Sequence, residues 1–594
     1  MRPNFIAQNG TTLSSTLIVA VLLSEIVFSY LRHAITTIIM RLFLGYFAIS
    51  WAMLWGLGFS DHRGKNNDSY DPPILQDVHP DKSFVREYNI KEFGAIPDTT
   101  ILSTKAIQTA IDECSPEGGT VLIPAGNWLS GTLILRSNVT LDLEKGATLY
   151  GSRHLGDYPG NVPNYIALRT RGNAKQLIYA ENQHNISIVG EGEINGQGRF
   201  FADKTAKGVQ YDRPHLIQMI NCRKIRIENV SLKNSGCWME HYLACDDLQI
   251  IGIKVFNHSN KNNDGIDIDD CHRVTISNVN VDSDDDALCI KSTSGRASED
   301  ITVSNCLLSS HCNAFKLGTE SNTGFKNIAA SNLVIKPSVV SDKFTYGHLE
   351  GSSGIALEMV DGGILDGVVI SNVNIEGTFT PIFIRLGNRA RPYRDGQAVS
   401  QVGQLKNVSI DNVMVTGAKN LGCSITGIPG YPVKNISLSN ISITFEGGGT
   451  KDHVTRPIPE LEKEYPEAEM FDMLPAFGFF IRHAENIRFS NVHLNTKKED
   501  LRPALYLSDV NDADFGNLNL GSDPNNICAV FAEGVSNIGF NSCRIRRGST
   551  CFLHLSGNSN RNLTLFNNVL TNTKIVFNPG ATNKKEIHAI GNVR

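Results

Sequence analysis

Short runs of alternating apolar and polar residues recur along most of the chain, each bounded by Asn, Asp, Gly or Ser. Examples are Asn185-Ile-Ser-Ile-Val, Lys224-Ile-Arg-Ile-Glu-Asn-Val, Asp247-Leu-Gln-Ile-Ile, Arg273-Val-Thr-Ile-Ser-Asn-Val and Asp300-Ile-Thr-Val-Ser-Asn. Later copies begin at Lys406, Lys434 and Glu485. Alternation with period two is the pattern of a half-buried strand. The copies starting at 224, 247, 273 and 300 are 23, 26 and 27 residues apart. A period in the twenties, with several short strands in each copy, predicts a solenoid. Leu does not recur as a leucine-rich repeat requires, so the pattern predicts an all-β chain folded as a right-handed parallel β-helix. One helix is expected near the start, where Ala106, Ile107, Ala110 and Ile111 form an apolar stripe behind Ser103-Thr104 as its cap. It would close the N-terminal end of the solenoid.

Two regions break this rhythm. Thr16–Leu31 and Ile35–Gly58 are almost free of charge apart from Glu25 and Arg41, with Arg32 between them. Read from Met1, residues 1–60 have the length of one or two membrane helices. Read from Met40 as the true start, they have a basic residue, an apolar run and a small-residue end, the pattern of a secretory signal. Both readings put the remainder outside the cytoplasm, secreted or periplasmic, with membrane contact only through an uncleaved N-terminus. Residues 61–84 read as a linker and 85–594 as a single domain. The second break, Gly447–Phe479, contains Pro457, Pro459 and Tyr465-Pro466-Glu467. It is expected to be an ordered excursion that overhangs the functional face.

With 55 Lys and Arg against 60 Asp and Glu, the 594-residue chain carries a formal charge of -5. No basic excess is present to neutralise a phosphate backbone, so nucleic-acid binding is not expected. The twelve Cys mostly sit in apolar strand patterns and are expected to be small buried side chains. None has the spacing of a zinc site, and no metal or cofactor is expected.

In a parallel β-helix a residue one coil later is about 4.8 Å away, so functional residues should stack at the coil period. One such stack stands out. Asn262-Asn263-Asp264-Gly265 is followed by Ser283-Asp284-Asp285-Asp286-Ala287, with Asp264 and Asp285 21 positions apart. Carboxylates crowded in this way cannot all ionise easily, which prepares an acid beside a base. Spacing alone also suits a calcium-binding or solvated turn.

Asn262-Asn263-Asp264-Gly265 resembles the Asn-Thr-Asp-Gly motif of the polygalacturonases, glycoside hydrolase family 28. Asp285-Asp286-Ala287-Leu288-Cys289-Ile290-Lys291-Ser292 resembles the family's Asp-Asp motif. Phe93-Gly94-Ala95, Gly118–Pro124 and Ser137-Asn138-Val139-Thr140-Leu141 resemble its opening segment. The resemblance implies hydrolysis of an α-glycosidic bond in a pectic polysaccharide with inversion; the chain is expected to act as a monomer. It implies that Asp285 is the general acid and that Asp264 and Asp286 hold and deprotonate water.

Two family motifs are altered. Where the family has a His in Gly-His-Gly, this chain has Asn313, with His311 two positions earlier. Where the family has Arg-Ile-Lys to grip a uronate, it has Ala356-Leu357-Glu358. Substrate contacts are therefore sought among other residues: Arg385 and Arg389 one coil later, Lys291, Lys316, His311, Asn313, and His241 in a stretch resembling the family's Trp-x-x-His. Arg is the residue suited to bidentate carboxylate binding. The altered clamp favours rhamnogalacturonan or an exo-acting galacturonidase over plain internal cutting of galacturonan. A calcium-dependent lyase and a non-catalytic glycan-binding β-helix are the alternatives. The lyase reading lacks an Arg-x-Pro-x-x-Arg signature.

Overall fold

The computed structural model describes residues 86–170, 174–201, 213–342 and 344–594. The apolar segment 1–60, the start at Met40 and the linker 61–84 lie outside the described residues. Among the described residues, no helix is long and apolar enough to cross a membrane.

The chain winds into the right-handed parallel β-helix that the repeat predicts. Each strand pairs in parallel with the equivalent strand one coil before and one coil after. The copies seen in the sequence fall into register: Ile225 is opposite Leu248, Leu248 opposite Val274, Val274 opposite Ile301 and Ile301 opposite Ile328. This inward column is buried at 0–2% exposure, and each such side chain contributes about 1.5–3 kcal/mol on leaving water. The residues opening the copies, Lys224, Asp247, Arg273 and Asp300, all have φ near +55° (55, 55, 56 and 58°). The left-handed conformation turns the chain into each strand. Among residues other than Gly, Asn supplies it most cheaply, and many turns use Asn. Asn305, Asn332, Asn372 and Asn412 also hydrogen-bond in a ladder from coil to coil, at 3.0, 3.2 and 2.7 Å.

Helix α1 (Thr104–Cys114) packs Ile107, Ala110, Ile111 and Cys114 inward at the N-terminal end. Its N-cap differs from expectation. Ser103 makes no side-chain cap bond, because its hydroxyl bonds Ile96 O at 3.2 Å. All twelve Cys are buried and unbridged, as their place in apolar strands predicts.

One sheet of the solenoid carries the chemistry. Its strands are β1 (His215–Ile220), β2 (Glu240–Leu243), β3 (Ile266–Asp269), β4 (Leu288–Ser292), β5 (Asn313–Ser321), β6 (Ser353–Met359) and β7 (Thr380–Leu386). One outward column runs Gln218, His241, Asp267, Cys289, Lys316, Ala356 and Phe383. The excursion after Phe445 is ordered. It contains helix α2 (Lys451–Thr455) and a 3₁₀ turn at Ala468–Phe471.

Candidate active site

The turns entering β3 and β4 stack directly, since Gly265 N donates to Asp286 O at 2.9 Å. One carboxylate oxygen each from Asp264, Asp285 and Asp286 lie within 4.8 Å of one another. The turn holding Asp285 is fixed by its own carbonyl, which accepts from Ser283 Oγ at 2.7 Å and Ser310 Oγ at 2.6 Å. The Asp285 carboxylate accepts from Asp286 N at 3.1 Å. It lines a cavity of about 680 Å³, together with Arg169, Asn262, Cys312, Glu320, Tyr346, His348, Arg391, Tyr465, Glu467 and Glu469.

The three carboxyls are not equivalent. Burial and the Asp286 charge push Asp285 up to about 6. Burial, then the charges of Asp267 and Asp285, push Asp264 well above the ordinary carboxylate range. Asp286 is pushed up by burial too, but the ammonium groups of Lys316 and Lys291 and a hydrogen bond from Asn313 outweigh this and hold it below that range. Lys316 Nζ lies 3.2 Å from Asp286, and Asn313 Nδ2 donates to it at 2.8 Å. The cluster therefore sets two carboxyls with raised values, Asp264 most of all and Asp285, beside Asp286, which is held ionised, so that proton donors and a base share one site. Asp264 Oδ1 is buried with no hydrogen-bond partner, so it can exchange a hydrogen bond with a water or a sugar hydroxyl. As pH rises through about 6 Asp285 loses its proton, so kcat/KM on a pectic oligosaccharide should fall from there upward. A rate plateau extending well past neutrality would contradict the assignment.

The cations are placed more specifically than the sequence indicates. Lys291 Nζ sits 3.7 Å from Asp264, 3.3 Å from Asp267 and 3.8 Å from Glu320. Lys316 is shared by Asp286, Glu358 at 3.7 Å and Glu467 at 3.6 Å. Lys316 stands opposite Ala356 in the register. The position where the family has Arg holds Ala356, which packs with Phe383, Leu421 and Ala468, and a cation, Lys316, stands one coil earlier. Glu358, an acid where the family has Lys, is fully buried on Thr319 at 2.8 Å and on Lys316. Burial pushes it up to about 7.

Four of the candidate substrate residues are engaged by partners outside the carboxylate trio. His241 is buried between Gln218 and Asp269, at 2.9 and 3.1 Å. His311 is buried on Asp284 at 3.0 Å and Val340 O at 2.8 Å. Arg385 donates to Gly427 O at 2.9 Å and Glu460 O at 2.6 Å, so it props the excursion. Arg389 holds Asp361 at 2.6 and 3.1 Å and lies over the Tyr465 ring.

Further residues complete the site. Glu320 Oε1 receives Arg169 at 2.5 Å and Arg391 at 2.8 Å, joining two loops across the cavity. Arg169 and Lys291 both lie over the ring of Trp238, at 4.8 and 4.9 Å. From the excursion come Tyr465, Glu467 and Glu469, with Glu469 bonded to His348 at 2.5 Å and Ser352 at 2.9 Å. Glu320 shares the parity of Lys316 on β5, a usable signal. Arg169, His348 and Glu469 lie in loops outside the repeat, where no period points to them.

The model for "Glycosyl hydrolases family 28" matches residues 117–460. The chain belongs to glycoside hydrolase family 28. It is a glycosidase of the polygalacturonase type. A Vitis vinifera protein described as a probable polygalacturonase is 28% identical over 383 residues, 60% of this chain and 74% of that protein. The exo-poly-alpha-D-galacturonosidase of Dickeya chrysanthemi is 40% identical over 117 residues, 18% of this chain and 19% of its own length. The exopolygalacturonase of Thermotoga maritima superposes with a TM-score of 0.53 at 20% identity, covering 69% of this chain and 92% of that one. At that identity the likeness speaks for the β-helix fold.

Proposed function

We propose that this family 28 enzyme removes residues from the ends of pectic chains, galacturonan or rhamnogalacturonan, by single displacement with inversion. The carrying observation is the meeting of Asp264, Asp285 and Asp286 within 4.8 Å at a cavity whose rim is stitched together by loops. The Glu320 pairs with Arg169 and Arg391 close one side, and the Glu469 pairs with His348 and Ser352 close another. A cavity ringed in this way suits a chain terminus better than a continuous strand of polymer. The matched stretch of the Dickeya chrysanthemi relative, named an exo-acting enzyme, agrees with this reading.

In the reaction Asp285 gives its proton to the glycosidic oxygen as the bond from that oxygen to C1 breaks. A water attacks C1 from the opposite face, and Asp286 takes its proton. Asp264 orients that water through its unpartnered oxygen. Afterwards Asp286 is protonated and Asp285 ionised, and exchange with solvent restores both. Inverting sites commonly separate their carboxyls by about 6.5–9.5 Å. The closer approach here means that the water enters obliquely beside the cluster. Arg169 and Arg391, on the cavity wall, offer the planar cations that a uronate carboxylate prefers. A cell-wall polymer as substrate places the enzyme outside the cytoplasm, secreted or periplasmic.

Digestion of defined pectic oligosaccharides tests this reading, with product size and anomer followed by NMR. End-release with the β-anomer appearing first from an α-linked substrate is expected. Random internal products would remove the exo assignment, and α-anomer first would remove inversion.

A further inference from the structure

A second cluster lies behind the catalytic turn. One ligand atom each from His258, Asp284 and His311 lie within 4.8 Å of one another, and the two imidazole rings meet edge to face with centroids 5.3 Å apart. The hydrogen bonds define what each ring can do. His311 Nε2 lies 2.8 Å from Val340 O. A carbonyl only accepts, so the proton sits on Nε2 and a neutral ring carries its lone pair on Nδ1. That Nδ1 faces the Asp284 carboxylate at 3.0 Å, which is also an acceptor. Such a contact needs a proton on the ring or on the carboxyl, or a cation held between the two.

His258 follows the same pattern. Its Nε2–H donates to the Asp282 carboxylate at 2.9 Å. The other nitrogen, Nδ1, is buried with no partner, on a side chain only 7% exposed. A histidine whose one N–H is given to a carboxylate or a backbone carbonyl is prepared to offer its second nitrogen to a metal.

We propose that His258, Asp284 and His311 bind a divalent cation of the zinc type, with a fourth position left for water. Two imidazoles and one carboxylate suit zinc, and would suit calcium poorly. The Asp264, Asp285 and Asp286 trio is a different case, because Lys316 and Lys291 already supply the positive charge beside it. The cation would act as a pin. Asp284 adjoins the proposed acid Asp285, and it accepts from Thr345 N at 3.0 and 3.1 Å. Ser338 Oγ bonds Asp282 at 2.6 Å. The loop that supplies these contacts goes on to line the cavity with Tyr346, Gly347 and His348. The bound ion would hold that wall against the catalytic turn.

The test uses the full-length protein dialysed against EDTA and titrated with cobalt(II) chloride, whose visible d–d bands report nitrogen-containing tetrahedral coordination, with metal content measured by mass spectrometry. One cobalt per chain with such bands is expected, displaced by one zinc. His258→Gln should lose the bands. Asp282→Asn, which keeps the shape but weakens the orientation of His258, should lower affinity about 10–100-fold. Asp285→Asn should bind as the wild type does. Thermal melts of the metal-free variants check folding. If His258→Gln does not fold, Asp282→Asn and the wild-type stoichiometry decide. Absence of stoichiometric binding, binding unchanged by His258→Gln or Asp282→Asn, or binding abolished by Asp285→Asn would overturn the proposal. So would NMR showing His311 doubly protonated in excess zinc.

Discussion

Replacing Asp285 by Asn is expected to lower kcat on a pectic oligosaccharide by about 10²–10⁴-fold, the range a positioned general acid contributes, with little change in KM. The amide has the shape of the carboxyl but cannot give up a proton to the departing oxygen. The turn should be undisturbed, because Ser283 and Ser310 grip the backbone carbonyl of Asp285, and the Asp286 N–H can still donate to an amide oxygen. Above a pH of about 6 the substitution also removes one negative charge beside Asp264, so folding stability should not suffer. Oligosaccharide binding measured by calorimetry should survive while turnover does not. A non-catalytic glycan-binding β-helix would show no activity to lose.

Lys316→Met is expected to have the largest effect on the molecule as a whole. The ammonium is 1% exposed and faces Asp286, Glu358 and Glu467. Methionine fills similar space but leaves buried carboxylates uncompensated, a loss of about 3–5 kcal/mol when one partner of a buried pair is removed. The pH dependence follows from the directions of the shifts. The folded-state value of Asp286 is depressed, with Lys316 the foremost cause opposing burial. It therefore adds stability above its unfolded value of about 3.9, and that stability is lost as pH falls through the folded value. Without Lys316, burial dominates and the Asp286 carboxyl rises. The stability deficit should be greatest at neutral pH and should shrink on acidification, as the carboxyls take up protons. Denaturant titrations at several pH values would show this. Glu358 and Glu467, pushed up to about 7 and about 8, already hold protons near neutrality, so Asp286 carries most of the effect. Activity should fall as well, with the acidic limb of the rate profile moved upward. A variant as stable as the wild type at neutral pH would show that Lys316 does not neutralise the site.

The solenoid is legible in the sequence because one physical rule governs it throughout. Inward side chains must be apolar every second residue, and each coil needs a left-handed turn residue, so the copies at 224, 247, 273 and 300 announce their own register. The carboxylate trio is legible for the same reason: stacking turns a 21-residue spacing into proximity. What period cannot convey is the direction of a long side chain within its column. Lys316 and Ala356 share a column, and only the structure shows that the Lys316 ammonium turns to Asp286, Glu358 and Glu467. His311 matches Asn313 in parity, yet its ring is held by Asp284 and Val340 on the other side of the turn. The cap of α1 followed local hydrogen bonding that a cap motif does not reveal. Arg169, His348 and Glu469 come from loops whose lengths differ from coil to coil, and contacts between loops are set by tertiary packing. The excursion 447–479 is a middle case: its proline content indicates order, and its position after β7 places it beside the site, but the pairing of Glu469 with His348 has no sequence signature.

The most direct test of the central claim is how the loss in Asp285→Asn depends on the leaving group. Cleavage of an oligogalacturonide, whose departing alkoxide must be protonated, should be compared with that of a 4-nitrophenyl α-galacturonide, whose phenolate departs unaided. A large loss on the first and a small one on the second is the predicted result. Equal losses on both would mean that Asp285 does not deliver the proton.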